Sequence, residues 1–146
     1  MEKIRKASSG DLTEVIHLLT DDDFGKTREG SSESYKAVFE ELLSNEYFDV
    51  FVMERDEEII GCYQMMYLPH LSFAGTKRAQ VESVRIKSSL RGQGLGRKLM
   101  KHAIQTAQEA SCGIFQLTSN KERIEANEFY CELGLNPTHY GYKLYF

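Results

Sequence analysis

The order of elements in these 146 residues predicts an α/β (α+β) domain, a mixed β-sheet carrying helices. Three observations lead there. Runs rich in β-branched and aromatic residues recur at Tyr47–Glu54, Ile59–Leu68 and Ala79–Ile86. Stretches with apolar residues at helical spacing stand before and after them. The third of these runs also feeds a glycine-rich loop, then an amphipathic helix, then another strand, an order that implies a parallel pair joined by a crossover.

Taken in order, Ile4–Lys6 reads as a short strand. Ser8-Ser9-Gly10-Asp11 then supplies capping residues for a helix whose stripe is Leu12, Val15, Ile16 and Leu19. Asp21-Asp22-Asp23 ends that helix and reads as a solvated turn, with an amine-attracting rim as the minority reading. It opens a polar loop to about Ser32, expected to be the least ordered stretch. Tyr35, Val38, Phe39, Leu42 and Leu43 place a second helix at 33–45. Asp56-Glu57-Glu58 fits a hairpin turn between the first two long strands, and Pro69 ends the second. At ~100° per residue, Leu95, Leu99, Met100, Ala103, Ile104, Ala107 and Ala110 share one side of the helix after the loop. Gly113 stops it before the strand Ile114–Thr118. A shorter helix at 123–133 ends on Gly134, and Tyr140–Phe146 is expected as a terminal strand with aromatic alternation.

Length and composition (41% hydrophobic, 27% charged) fit one soluble domain over residues 1–146. A net charge of −4 speaks against a nucleic-acid partner, whose affinity rests on a broad basic face. Positive charge instead gathers around one loop as Arg85, Lys87, Arg91, Arg97, Lys98 and Lys101, which suits a compact polyanion. No apolar run is long enough for a bilayer, and the start lacks a signal-peptide core, so no membrane association and a cytoplasmic location are expected. Cys62, Cys112 and Cys131 suggest neither a disulfide framework nor a zinc ribbon and are expected as buried structural thiols. His17, His70, His102 and His139 show no ligand spacing, and no metal is expected.

The chemistry concentrates in Val84–Lys101. A strand enters the loop Arg91-Gly92-Gln93-Gly94-Leu95-Gly96, and a helix begins at once. Glycines let the backbone approach a ligand, and free N–H groups in the first helical turn favour an anion, so the segment reads as a phosphate cradle. It lacks the Gly-Lys-Ser/Thr ending of a P-loop and the spacing of a dinucleotide fingerprint. Arg91-x-x-Gly94-x-Gly96 resembles the pyrophosphate loop of the GNAT superfamily of N-acetyltransferases. Further on, Phe129-Tyr130-Cys131-Glu132-Leu133-Gly134-Leu135, with Ala126 before it, resembles that family's second segment at matched spacing. The N-terminal half matches only in its order of elements.

The resemblance implies a single-domain fold with a mixed, centrally splayed sheet and about four helices on both faces. It implies acetyl-CoA as donor, held by Arg91, Gly92, Gln93, Gly94, Leu95, Gly96 and Arg97 at its pyrophosphate and by a rail of Val84, Arg85 and Ile86 along its pantetheine arm. Backbone N–H groups along that rail would be left free by the splay, with Val84 facing the thioester oxygen. Arg123 stands where the family often has asparagine, so Asn120 or Asn127 is expected to substitute there. Tyr130 is the candidate general acid for the departing thiolate, against a reading as core packing. Glu82 is the candidate base and an acceptor contact, set by strand alternation on the face of Val84 and Ile86; the alternative is a structural carboxylate paired with Arg85 or Arg78. His139 is a candidate acceptor-site residue, since terminal-strand residues border that site in the family. The tail is faintly similar to small bacterial members that acetylate small amines, including aminoalkylphosphonates.

The activity so implied is direct acetyl transfer to a primary amine of a small molecule. The alternatives are a non-catalytic acyl-CoA-binding sensor or partner module, and an acetyltransferase of a protein amine. A homodimer is expected from the apolar terminal strand.

Overall fold

In the computed structural model, residues 1–30 and 32–146 are described, those of Thr27, Arg28 and Ser32 without their side chains. Ser31, at the end of the polar loop expected between the first two helices, lies outside the described residues. The chain runs β1 (Lys3–Lys6), α1 (Leu12–Thr20), the one-turn α2 (Gly25–Arg28), α3 (Ser32–Ser44), β2 (Phe48–Arg55), β3 (Glu58–Leu68), a single turn α4 (Ser72–Gly75), β4 (Arg78–Ile86), α5 (Leu95–Glu109), β5 (Ile114–Leu117) and α6 (Ile124–Glu132). The loop expected after α1 thus contains a helical turn.

Local chemistry explains the main boundaries. Asp11 closes a capping box on the 3-10 turn Ser9–Asp11 that leads into α1, accepting from the Ser8 N–H at 2.7 Å and the Ser8 hydroxyl at 3.0 Å. Arg5, itself bridged to Glu54 at 2.8 Å, holds the same carboxylate at 2.8 Å and so ties β1, β2 and α1 together. Between Arg55 and Glu58, Asp56 and Glu57 adopt φ of 50° and 67°. Two left-handed residues in succession make the mirror-image hairpin turn whose twist matches the strands.

The strands lie in the order β1-β2-β3-β4-β5. The first four are antiparallel, and β5 joins β4 in parallel through α5. On one face, Leu95, Leu99, Ala103 and Ala107 of α5 pack against Phe51, Met53, Met65 and Val81. On the other, Val15 and Leu18 of α1 and Phe39 of α3 cover Val50, Val52 and Cys62. Leu99 is wholly buried; truncating such a side chain to alanine typically costs about 2–5 kcal/mol.

Two features of β4 position everything that follows. Its pairing with β5 spans only Arg78–Val81 against Ile114–Leu117, and β4 then runs on to Ile86 paired with β3 only. The last two strands of the sheet are therefore splayed beyond Val81. The β3 register also shifts between Cys62↔Arg85 and Gln64↔Glu82, where Ser83 takes φ +54°. This bulge inserts one residue and reverses the alternation. Ala79, Val81, Val84 and Ile86 all face α5, while Glu82 shares the opposite face with Gln80 and Arg85. The expectation that Glu82 sits with Val84 and Ile86 is thereby corrected.

The expected terminal strand is not formed. Tyr140–Phe146 has no assigned secondary structure, and Tyr140, Tyr142, Leu144, Tyr145 and Phe146 are exposed. Alternation records a propensity to pair, whereas a strand also needs an edge within reach.

Candidate active site

After β4, one 3-10 turn (Ser88–Leu90) leads into the glycine loop. Gly92 and Gly94 sit at φ +80° and +78°, and a Cβ built on either meets nothing within 4 Å. Conformation rather than crowding selects glycine here, and the space beside the loop is open. Gly94 is the N-cap of α5, whose first turn carries neither a side-chain cap nor an acidic residue. The first intrahelical bond runs from the Lys98 N–H to the Gly94 carbonyl at 3.1 Å. The N–H groups of Leu95, Gly96 and Arg97 therefore point outward from the positive end of the helix. A Cβ on Gly96 would lie 3.5 Å from the Phe129 ring, so α6 packs against this helix start.

The surrounding cations are less free than the sequence suggests. Lys87 pairs with Glu58, Arg97 with Glu132 at 3.1 Å, and Lys98 with Glu2 at 2.8 Å. Arg91 donates to the carbonyls of Asp21 at 2.9 Å and Ile86 at 3.3 Å and keeps its charge at the loop. Arg85 points away, into the opposite face. An anion at this loop would meet the outward backbone N–H groups of Leu95, Gly96 and Arg97 first.

Along the splayed part of β4, the Lys87 N–H donates to the Ile60 carbonyl. In an antiparallel ladder the next bonded pair is then Arg85–Cys62. The amide of Arg85 turns towards β3, and those of Val84 and Ile86 turn to the side that β5 has left. Of the three residues expected as a rail, Val84 and Ile86 thus turn their amides to that side, while Arg85 bonds to β3 and sends its side chain elsewhere.

That side chain meets Asp22. Asp22 Oδ2 lies 3.1 Å from Arg85 Nε and 3.3 Å from Arg123 Nη2, with only 8% of the aspartate side chain exposed. Asp22 also accepts from the Gly25 N–H, and the Arg123 guanidinium lies 4.3 Å from the centre of the Phe24 ring. Burial pushes the Asp22 carboxyl up, but the Gly25 N–H and the two arginines outweigh it and hold it below its ordinary value. Its neighbour Asp21 accepts from the Ser88 N–H at 2.7 Å and hydroxyl at 2.9 Å. The aspartate run is thus a clasp joining the end of α1 to β4, the glycine loop and the start of α6, and the reading as a solvated turn is corrected for Asp21 and Asp22. Sequence reasoning missed it because the partners stand 67 and 101 residues away.

Tyr130, on α6, lies within electrostatic reach of this arrangement. Burial pushes its hydroxyl above the ordinary phenol value, Arg85 and Arg123 pull it back, and Glu82 adds to the rise. The net result is a phenol that keeps its proton, with two cations and one carboxylate close enough to act on it. Glu82 accepts from Gln80 Nε2 at 3.1 Å, Gln116 Nε2 donates to Gln80 at 2.7 Å, and Arg78 donates to Gln116 at 3.3 Å. This polar row across β4 and β5 was also missed, since only the register of the two strands brings Gln116 beside Gln80. Neither Arg78 nor Arg85 forms a salt bridge to Glu82 among the described residues.

The remaining expected residues are not brought to this cluster. Asn120 accepts from the Glu122 N–H at 2.9 Å, and Asn127 Nδ2 donates to the Asn120 carbonyl at 3.1 Å, so both hold the turn before α6. Gln93 is exposed on the loop, and His139 is exposed with its ring nitrogen 2.6 Å from the Thr138 hydroxyl. Cys62 is buried, its thiol pushed up to about 12 by that burial. Cys131 is exposed, which corrects the expectation of a buried thiol there. Among the described residues no group of three or more His, Cys, Asp or Glu could hold a metal, and no helix is long and apolar enough to cross a membrane.

A family model described as "Acetyltransferase (GNAT) family" matches residues 12–135, which takes in both core layers, the splay and the glycine loop. The chain belongs to this family. It is similar to a crystal structure titled as a transcriptional regulator from Bacillus halodurans, with 38% identity, all of both chains covered and a TM-score of 0.96. An uncharacterised N-acetyltransferase of Archaeoglobus fulgidus is 26% identical over 95% of this chain and 96% of that one. An aminoalkylphosphonate N-acetyltransferase of Salmonella typhimurium is 24% identical over 90% of each. As a GNAT acetyltransferase, the protein is an enzyme of acyl transfer to an amine.

Proposed function

We propose that this single GNAT domain transfers an acetyl group from acetyl-CoA directly to a primary amine of a small molecule in the cytoplasm, working as a homodimer. The observation that carries the reading is the parting of β4 from β5 beyond Val81, beside an uncapped, glycine-lined helix start, with Tyr130 within electrostatic reach of Glu82, Arg85 and Arg123. Acetyl-CoA fits the chain's own features. The N–H groups of Leu95, Gly96 and Arg97 would hold its pyrophosphate, with Arg91, Gly92, Gln93 and Gly94 around it. Val84 and Ile86 would hydrogen-bond the pantetheine arm, and the Val84 N–H would stabilise the carbonyl oxygen as it gains charge, an effect typically worth ~3 kcal/mol.

The neutral amine nitrogen attacks the thioester carbon, the C–S bond breaks, and the leaving thiolate takes the Tyr130 proton. Glu82, directly or through a water, takes the proton that the amine gives up. A protonated phenol matches the first role, since burial holds the Tyr130 proton in place. A direct route needs no acyl-enzyme, and Cys62 is sealed in the core.

A second reading, an acyl-CoA-binding module without turnover, draws support from the name given to the Bacillus halodurans relative. Thiol release from acetyl-CoA with a panel of amines, aminoalkylphosphonates and amino sugars among them, separates the two. Turnover with a small amine is expected. Tight binding of acetyl-CoA with no release against any amine would favour the module, and release only with peptide or protein amines would move the acceptor class.

A further inference from the structure

One arginine of the chain is held without a counter-charge. Arg5, Arg55, Arg78, Arg85 and Arg123 are all half-buried. Four of them lie against carboxylates: Arg5 on Asp11, Arg55 on Glu2, and both Arg85 and Arg123 on Asp22. Arg78 meets no carboxylate among the described residues. Its Nη1 reaches Gln116 Oε1 at 3.3 Å, and its Nε is buried with no hydrogen-bond partner. A guanidinium drawn out of water without an anion is costly, and an unsatisfied buried donor of this kind calls for a reason.

Its surroundings keep it available. On the face opposite α5, the helices α1 and α3 pack over Val50, Val52 and Cys62. Further along, Met66 and Leu68 of β3, paired with Gln80 and Arg78 of β4, are only half-buried, whereas Met65, Tyr67, Ala79 and Val81 on the α5 side are buried. Phe73 stands over Arg78, 5.7 Å from guanidinium carbon to ring centre. An aromatic ring answers a positive charge without using any of its N–H donors. Phe73 and Ala74 hold φ of 54° and 56°, a strained region for residues other than glycine, although Phe73 is 70% exposed and gains little by burial. Strain of this kind gathers at ligand clamps.

The polar row that starts at Arg78 runs in one sense. Arg78 donates to Gln116, Gln116 to Gln80 and Gln80 to Glu82, so one end of the row is a cation and the other a carboxylate. Arg78 and Glu82 pair regularly with Leu68 and Gln64, which sets their Cα atoms four strand steps, roughly 13 Å, apart.

We propose that Arg78 binds an anionic group carried by the acceptor, a carboxylate or phosphonate, while the acceptor's amine lies at Glu82. The acceptor class is then an ω-amino acid or ω-aminoalkylphosphonate with several methylenes between its two ends. This deepens the acetyltransferase reading and rests on it for the position of the amine. Side chains leaning along the strand leave room for about five to eight bonds between the nitrogen and an anion oxygen, more than an α-amino acid spans. The guanidinium fork would take two such oxygens side by side, with Phe73 shielding the pair from water.

The test is calorimetric titration with ω-amino carboxylates, ω-aminoalkylphosphonates and plain alkylamines of equal length, from one to six methylenes. It is run in saturating CoA, which has no acetyl group to transfer. The anionic series should bind roughly 10–100-fold more tightly than the alkylamines, and best at three or more methylenes. Preference for carboxylate or phosphonate identifies the anion. Arg78→Met should abolish the preference and Arg78→Lys restore part of it. The urea midpoint of Arg78→Met should equal or exceed that of the wild type, since no ion pair is broken. Anionic ligands that bind no better than alkylamines, an optimum at one methylene, or an Arg78→Met variant of lower midpoint and unchanged affinities would each overturn the site. Turnover of alkylamines alongside such a failure would leave the acetyltransferase reading standing. Binding that depends on Arg78 without turnover of any amine would sink that reading and keep the anion site.

Discussion

Replacing Asp22 with asparagine removes one negative charge from between two guanidinium groups while keeping an oxygen that can still accept from the Gly25 N–H. The side chains involved are 8% (Asp22), 10% (Arg85) and 22% (Arg123) exposed, so the charges left behind are poorly reached by water. Breaking a buried pair from one side typically costs about 3–5 kcal/mol. Arg123 keeps its contact with Phe24 and some solvent, which places the expected loss at about 2–3 kcal/mol, against a total domain stability of roughly 5–15 kcal/mol. In urea unfolding this is a fall in midpoint of about 1 M. The matched control is Asp23→Asn, one residue on, where the carboxylate is 97% exposed and 3.7 Å from Lys26; a surface pair of that kind is worth about 0–1 kcal/mol. Because Asp22 is held below its ordinary 3.8, its contribution is full above that value and is lost as pH falls, so the gap between wild type and Asp22→Asn should narrow in acid. Equal midpoints for Asp22→Asn and Asp23→Asn at neutral pH would refute the clasp.

Other substitutions address the chemistry and the frame. Gly94→Glu puts bulk and negative charge at the N-cap of α5 in a left-handed conformation, and acetyl-CoA binding measured by calorimetry should be lost; unchanged affinity would place the donor elsewhere. Tyr130→Phe should lower kcat by about 10²–10⁴-fold with little change in the KM for acetyl-CoA, whereas a packing role would leave kcat intact. Because burial raises the Tyr130 hydroxyl, the wild-type rate should show no loss attributable to phenol ionisation until above pH 10. Glu82→Gln keeps the polar row but accepts no proton; a base role lowers kcat at every amine concentration, and full activity would assign Glu82 to the row alone. Arg5 holds the Asp11 carboxyl at about 2 against an ordinary 3.8, with burial opposing it. That pair should therefore contribute about 1–2 kcal/mol above pH 4, lost as pH falls towards 2, and Asp11→Asn should flatten the acid limb of a stability-versus-pH curve.

Periodicity and spacing by themselves determined a good deal here. The apolar stripe of Leu95–Ala107 carries its own helix, and the paired motifs around Gly94 and Tyr130 carry the family, because each depends on neighbours within a turn or two. What only the tertiary structure decided depends on residues far apart or on a single inserted one. Ser83 moves Glu82 to the face opposite Val84, which no alternation rule can foresee because a bulge looks like any other residue in a strand. Three successive aspartates look alike in sequence, yet one is sealed between Arg85 and Arg123, one grips Ser88 and one is solvated, since burial comes from elements that meet only after folding. Tyr140–Phe146 has the pattern of a strand yet lies unpaired, because pairing is a property of two strands and not of one.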